Sequence, residues 1–172
     1  GELVRSLQSD QLANPDSRIT LTRITSGMLL EGHAQPIKGN TTGDDPHFRR
    51  SHWEYDHISD TLRRLQSTPS VPGIYSGCSD VLRYKDMTVP ELKPGVEIRS
   101  QHLWGRPGVV VHLMSELRAT ISTGAMTDQN VAVLVPQRPE SLGAIWAYCS
   151  NRSFAEDIRE LDDSIKVTNA TL

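Results

Sequence analysis

The chain has 172 residues, of which 37% are hydrophobic and 23% charged, and its mean hydropathy is -0.41. This composition is typical of one globular domain with a buried core rather than of a disordered chain. Eighteen basic and 21 acidic residues give a net charge of -3, which argues against a histone-like protein whose whole surface is basic. Apolar runs such as residues 131–135 are far shorter than the roughly 20 residues of a membrane-spanning helix.

Charge is unevenly distributed along the chain, which leaves room for a basic face. Residues 99–118 hold three arginines, two histidines and one glutamate, whereas residues 152–166 hold five acidic and three basic residues. Cys78 and Cys149 share no Cys-x-x-Cys spacing, so we expect no disulfide framework and a reducing, cytoplasmic compartment. The chain begins with Gly1 and ends without a polar tail, so we expect a fragment of a longer protein.

The first 65 residues predict a few separate elements. The apolar side chains of residues 2–12 have a loose helical spacing, and β-branched residues alternate along residues 18–22 as in a strand. Residues 28–38 fit either a strand or an irregular segment. Residues 39–46 have the composition of a loop. Residues 53–65 predict a helix, because their larger apolar side chains recur at helical spacing; these are Ile58, Leu62 and Leu65.

The second half predicts strands followed by helices. Three β-rich runs, residues 108–114, 117–123 and 130–135, are expected to be neighbouring strands of one sheet that ends at residues 136–139. Residues 140–149 predict an amphipathic helix, and Ser153 is the expected N-cap of a further one. This order predicts an α+β fold with a small mixed or antiparallel sheet followed by C-terminal helices. Three aromatic residues of the helical region are assigned to the core: Trp146, Tyr148 and Phe154.

Catalytic motifs are scarce in this chain. It has no Gly-x-Ser-x-Gly elbow, no Gly-x-Gly-x-x-Gly motif and no phosphate-binding loop, so we expect no catalytic and no cofactor-binding residues. His47, His52 and His57 recur every five residues, about 140° apart on a helix, so we interpret them as surface residues and expect no metal site. Glu91 and Lys93 have a nuclease-like spacing, but the prolines beside them favour a turn.

Residues 42–54 form the most unusual segment, in which Arg49 and Arg50 follow two aspartates. Guanidinium groups held by an ordered loop suit phosphate oxygens or the O6 and N7 atoms of guanine. The alternative is that Asp44 and Asp45 pair with these arginines.

Two further segments carry polar side chains beside predicted strands. Residues 100–114 place polar and basic side chains in a loop that leads into a strand, and residues 126–130 form a polar turn before the next strand. The second turn is equally well explained by ordinary hairpin chemistry. Trp53 and Trp104 are the expected anchors of the first and second segments.

These segments, in this order, resemble the C-terminal, target-recognising portion of bacterial N-6 adenine DNA methylases, including Type IIG restriction-modification enzymes and methylases of phage-exclusion systems. The resemblance covers most of the chain from about Gly39 onward. The matching signatures are TGDDPHFRRSHWE at 42–54, HLWGRPGVVVHLM at 102–114, TDQNVAVLVP at 127–136, LGAIWAYCSN at 142–151 and IKVTNATL at 165–172.

The resemblance implies that residues 39–172 bind duplex DNA and recognise its sequence, whereas residues 1–38 have no assigned role. It also implies a separate catalytic domain in the parent chain that binds S-adenosylmethionine and holds the flipped adenine. The family's Asn-Pro-Pro-aromatic motif has no counterpart, since residues 14–16 read Asn-Pro-Asp. This chain is therefore not expected to be an enzyme by itself, and its expected partners are double-stranded DNA and that catalytic domain.

Candidate DNA contacts follow from the polar side chains of the matching segments. They are Thr42, Arg49, Arg50, His102, Arg106, Gln129 and Asn130. If the shared signatures are scaffold instead, the residues that read bases lie within residues 56–93.

Two other functional classes stay open. The chain could be a protein-docking module of a defence complex, with the acidic residues 156–163 as its surface. It could also be a nuclease remnant that uses Glu91 and Lys93, which would require metal-dependent cleavage.

Overall fold

The computed structural model describes residues 5–12, 14, 19, 29–69, 73–89, 95–99, 101–168 and 171–172. Within these ranges the strands are β1 (Ala34–Lys38), β2 (Arg49–Ser51), β3 (Arg63–Gln66), β4 (Asp80–Leu82), β5 (Gly108–His112), β6 (Ala119–Ser122), β7 (Met126–Thr127) and β8 (Val131–Pro136). The helices are α1 (Gln8–Leu12), α2 (Asp45–Phe48), α3 (Tyr84–Met87), α4 (Leu142–Cys149) and α5 (Arg152–Leu161). The fold is α+β, as the sequence predicts. The strand expected at 18–22 falls almost entirely outside the described residues.

The first sheet has the strand order β1-β8-β5-β6, and all its neighbouring strands are antiparallel. Its central strands are rich in valine, which favours the pleated, buried conformation. The three strands predicted in the second half are thus confirmed as neighbours. The sheet has two edges: β1 contains Pro36, which lacks an N–H, and β6 is covered by the segment before β4, where the Ile121 N–H donates to the Ile74 carbonyl at 2.7 Å.

Helices α4 and α5 cover one face of the first sheet. Inward residues of β5 and β8 pack against both helices in a core that contains Val109, Leu134, Ile145 and Phe154. The two predicted helices are confirmed, but the N-cap of α5 is Asn151, whose side chain accepts the Ser153 N–H at 3.2 Å.

One core assignment on this helix pair is wrong. Tyr148 is exposed, because α4 turns this side chain toward Asp157 of α5, and its hydroxyl hydrogen-bonds to that carboxylate at 3.3 Å. Phe154 is fully buried, and Trp146 packs against the same core.

The second sheet has the order β2-β4-β3-β7, antiparallel except for the parallel pair β3 and β7. Its core contains Phe48, Leu65, Leu82, Met87 and Met126. The predicted helix over 53–65 is wrong. Residues 52–54 form a 3-10 turn, and Leu65 lies in β3, because cross-strand pairing with Asp80 and Met126 buries it. Ile58 is exposed and gives no support to a helical face.

The two sheets are joined through buried polar side chains. Asn40 follows β1, where its amide nitrogen donates to the Thr127 carbonyl at 3.0 Å and its amide oxygen accepts the Arg99 N–H at 2.7 Å. Gln66 of β3 donates to the carbonyls of Ser76 and Ile121 at 3.0 and 2.9 Å. Each amide therefore hydrogen-bonds to backbone groups of two separate segments.

Replacing the fully buried Phe154 by alanine should lower the free energy of unfolding by about 3–5 kcal/mol, because it leaves a cavity between the helix pair and the sheet. Urea unfolding followed by circular dichroism measures this change. Ile165→Ala, at an exposed position, is the control and should change it by less than about 0.5 kcal/mol. Equal effects of the two variants would contradict the described core.

Candidate nucleic-acid interface

Arg49 at the start of β2 binds carboxylates instead of facing solvent. Its Nε and Nη2 atoms lie 2.6 and 2.5 Å from Asp80 Oδ2. Its Nη1 atom lies 3.6 Å from Asp128 and 3.8 Å from Asp45. The alternative in which an aspartate of the loop pairs with an arginine is therefore confirmed for Asp45. Asp44 has another role, because it caps α2 by accepting the His47 N–H at 3.1 Å.

The other two predicted contacts of this segment also have partners within the protein. Thr42 is buried and hydrogen-bonds to Asp45. Arg50 is half-buried and donates to the carbonyls of Pro46 and Arg49, the latter at 2.7 Å. These contacts give Thr42 and Arg49 a structural role, and their contact with DNA stays a prediction.

The loop before β5 is held in place from two sides. Trp104 packs against the second core, where its ring is edge-on to Tyr84 at 5.4 Å, so it anchors the loop as expected. The Gly105 N–H donates to the Gly124 carbonyl at 3.0 Å. Gly124 has a φ of 92°, and any side chain there would collide with the backbone of Gly105. Trp53, in contrast, is 69% exposed and anchors nothing in the core, so that prediction is wrong.

A small cleft separates this loop from the first sheet. Apolar side chains such as Leu103 and Val135 line it, and three cations from different parts of the chain also contribute: Lys38, Arg99 and Arg106. Its volume of about 30 Å³ holds about one water molecule, so a nucleobase does not fit inside. A nucleic acid would therefore contact the cations of the cleft from outside.

The three cations differ in how much of their hydrogen-bonding capacity is used. Arg99 pairs with Glu97 and donates to the Gly39 carbonyl at 2.9 Å. Arg106 donates to the Pro136 carbonyl at 3.2 Å. Lys38 is exposed and forms no hydrogen bond or ion pair with any described residue.

Hydrogen bonds extend this basic region along the start of β8. Arg99 donates to Thr41 Oγ1 at 3.1 Å, and Thr41 donates to the Gln129 side-chain oxygen at 3.4 Å. Lys166 donates to the Gln129 carbonyl at 2.9 Å and lies 3.3 Å from Asn130 Oδ1. We call the following seven residues the basic track: Lys38, Thr41, Arg99, Arg106, Gln129, Asn130 and Lys166.

The basic track contains three of the seven predicted contacts, and His102 is exposed on the adjoining loop. The arginines at 49 and 50 and Thr42 do not belong to the basic track, although Arg49 contacts Asp128 next to it. Sequence reasoning missed Lys38 and Lys166, which carry no local signal because each is a single lysine in a different part of the chain. Arg99 could have been found, since it begins the basic stretch of residues 99–118.

Metal and membrane sites find no support in the described part of the chain. No group of three or more histidine, cysteine, aspartate or glutamate side chains is arranged there to bind a metal ion. Among the same residues, every helix is too short or too polar to cross a membrane. The Glu91–Lys93 motif lies outside them.

Comparison with known proteins gives no assignment by similarity. No protein-family model matches the chain, and no curated protein matches it. The functional interpretation therefore depends on the geometry and charge of the basic track and on the motifs in its loops.

Replacing Arg49 by glutamine should lower the free energy of unfolding by about 1–3 kcal/mol, because three carboxylates lose their shared cation. The double variant with Asp128→Asn should lose less free energy of unfolding than the two single variants together, since the second change removes a carboxylate that has lost its cation. Urea unfolding of the four proteins of this cycle measures the coupling. Arg152→Gln is the control, because Arg152 is exposed and pairs only with exposed Glu156. Additive effects in the cycle would contradict the proposed charge compensation.

His112, beside the basic track, should make stability depend on pH. Burial lowers its pKa, and the charges of Arg118 and Lys166 lower it further, while Asp128 opposes them. The unfolded chain then binds this proton more tightly, so the free energy of unfolding should fall as pH drops from about 7.5 to about 5.5. His112→Gln should weaken this dependence in urea titrations. An unchanged dependence would show that other groups cause it.

Proposed function

We propose that the chain is the sequence-specific duplex-DNA recognition domain of an S-adenosylmethionine-dependent N6-adenine DNA methyltransferase of a restriction-modification or phage-defence system. It positions DNA for a catalytic domain of a cytoplasmic parent protein. The cofactor binds to that catalytic domain, and this chain contributes no catalytic residue. The basic track is the observation that carries the proposal.

The charge of the basic track supports a polyanionic ligand. It gathers four cations although the chain has a net charge of -3, and Glu97 is the one described carboxylate that pairs with any of them. Lys38, Arg106 and Lys166 therefore keep their positive charge uncompensated by an ion pair in the described part of the chain. Such side chains supply the phosphate contacts that dominate the affinity of DNA-binding proteins.

The amides of the basic track support sequence readout. Gln129 and Asn130 form the turn before β8, and Asp128 fixes this turn by accepting the Asn130 N–H at 2.8 Å. Glutamine and asparagine can bind the N6 and N7 atoms of adenine with two hydrogen bonds in the major groove. Cations would thus position the duplex, while Gln129 on its rigid turn reads a base edge.

The outer side of a duplex fits this surface better than an inserted base does. The cleft holds about one water molecule, so contacts are limited to phosphates and groove edges. His102 and Arg106 project from a loop that is fixed by Trp104 and by the Gly105–Gly124 contact, as direct readout requires.

A protein-docking module is the second candidate function. Helix α5 exposes three carboxylates, Glu156, Asp157 and Glu160, which form an acidic surface. A basic partner surface would be complementary to it. This function predicts indifference to DNA even at low salt.

Fluorescence anisotropy with a labelled duplex of about 25 base pairs should show binding that weakens steeply with salt. Lys38→Ala, Arg106→Ala and Lys166→Ala should each weaken binding and lower the slope of log affinity against log salt by about 0.9 for each lost phosphate contact. Arg152→Ala removes an exposed arginine from α5 and should leave the affinity unchanged.

Two outcomes would contradict the proposal. One is a folded chain, shown by circular dichroism, that does not bind the duplex at low salt, which would favour the docking module. The other is binding that the basic-track variants weaken no more than Arg152→Ala does, because the cations of the basic track would then be irrelevant.

A further inference from the structure

Two aromatic side chains are exposed, one just after β2 and one in the segment before β4. Trp53 is 69% and Tyr75 51% exposed. Trp53 is edge-on to the His52 ring at 5.2 Å, and His52 Nδ1 lies 2.8 Å from the Ser79 carbonyl oxygen. Tyr75 is held through its hydroxyl. Both rings therefore present apolar surface to solvent.

The hydroxyl of Tyr75 hydrogen-bonds with Cys78 and Thr123. The pKa of Tyr75 is raised, first by the hydrogen bond with Cys78 and then by burial of the hydroxyl end. The hydroxyl of this side chain thus has partners within the protein, while about half of the side chain is exposed. Trp53 contacts His52, and His52 is hydrogen-bonded to the Ser79 carbonyl. Ser79 directly follows Cys78, the partner of Tyr75, so both side chains are connected to the same short segment.

Two arginines lie on the same face of the second sheet. Arg50 of β2 and Arg64 of β3 are both paired in register with Val81 of β4, and residues opposite one another in a sheet share a face. Arg64 is exposed, and its charge acts on Tyr75. It forms no ion pair or hydrogen bond with any residue that the structure describes. We call Arg50, Trp53, Arg64 and Tyr75 the ring–arginine patch.

We propose that the ring–arginine patch binds unpaired nucleotides, with bases stacked on Trp53 and Tyr75 and phosphates paired with Arg64 and Arg50. Surfaces that bind single strands combine aromatic rings with nearby cations. The rings stack on the flat faces of the bases, and the cations pair with the negative charge of each phosphate. This inference does not depend on the proposed duplex recognition by the basic track, because none of its residues belongs to the basic track.

The composition of the ring–arginine patch favours a nucleic acid over an apolar protein surface. Arginines and hydrogen-bonded polar groups separate the rings, whereas protein-docking patches have a contiguous apolar centre. A polyanion with planar groups is complementary both to the rings and to the cations.

The test uses a labelled oligothymidylate of about 12 nucleotides and an abasic oligonucleotide with the same number of phosphates. The oligothymidylate should bind more tightly, because only it has bases to stack. Trp53→Ala and Tyr75→Ala should each lower its affinity at least about fivefold and leave abasic binding unchanged. Arg64→Ala should weaken binding of both oligonucleotides.

Three controls make the result specific. Tyr75→Phe keeps the ring and should retain most of the affinity. Tyr148→Ala removes an exposed tyrosine from α4 and should have no effect. Lys38→Ala should weaken duplex binding and leave oligothymidylate binding unchanged, which separates this inference from the proposed duplex function.

Equal affinity for the two oligonucleotides would overturn the inference, because stacking would then contribute nothing. Ring variants that bind oligothymidylate like the starting protein would overturn it too. They would indicate that the exposed rings serve a protein partner.

Discussion

The contact of the Arg49 guanidinium with Asp80 and Asp128 is the interaction on which the arrangement of the two sheets depends. Asp80 belongs to β4 of the second sheet, and Asp128 lies where the chain leaves β7 for β8 of the first. A planar guanidinium with five donors can serve several acceptors at once, which an ammonium group cannot do in this geometry. Without it, partly buried carboxylates would repel one another at the junction of the sheets.

This interaction also determines where the basic track lies. Two crossings between the sheets run side by side, one after β1 and one before β8, and Asn40 and Asp128 pair across them. Lys38 and Thr41 lie on the first crossing, while Gln129 and Asn130 lie on the second. An arginine expected to contact DNA thus holds in place the strand ends that carry other candidate contacts.

The sequence predicted three strands of the first sheet and the helix pair well, because their signals are local and long, whereas the pattern at β1 did not decide between a strand and an irregular segment. The valine-rich run at residues 131–135 forms β8, and the helical spacing that includes Ile145 and Phe154 corresponds to α4 and α5. The second sheet was not predicted, because its strands have only two to four residues and show no periodicity. Leu65 has helical spacing from Leu62, but pairing with distant strands decided its conformation.

The candidate site was predictable only where its residues share a loop. The loop with His102 and Arg106 and the turn with Gln129 and Asn130 were identified, since each combines turn chemistry with polar side chains. The ion pair of Arg49 with Asp80 was not predicted, because Asp80 is 31 positions away in the chain. The contribution of Lys38 and Lys166 comes from tertiary contacts that no local pattern reveals.

The edges of the first sheet determine how this domain can associate. Pro36 removes a donor from one edge, and at the other the Ile74 carbonyl accepts the Ile121 N–H while Gln66 donates to the Ile121 carbonyl. Open sheet edges are the usual route to fibrils, domain-swapped dimers and other assemblies built from main-chain pairing. With both edges protected, association through main-chain pairing is disfavoured, and substitutions on loops and turns can change the surface chemistry without creating an aggregation-prone strand.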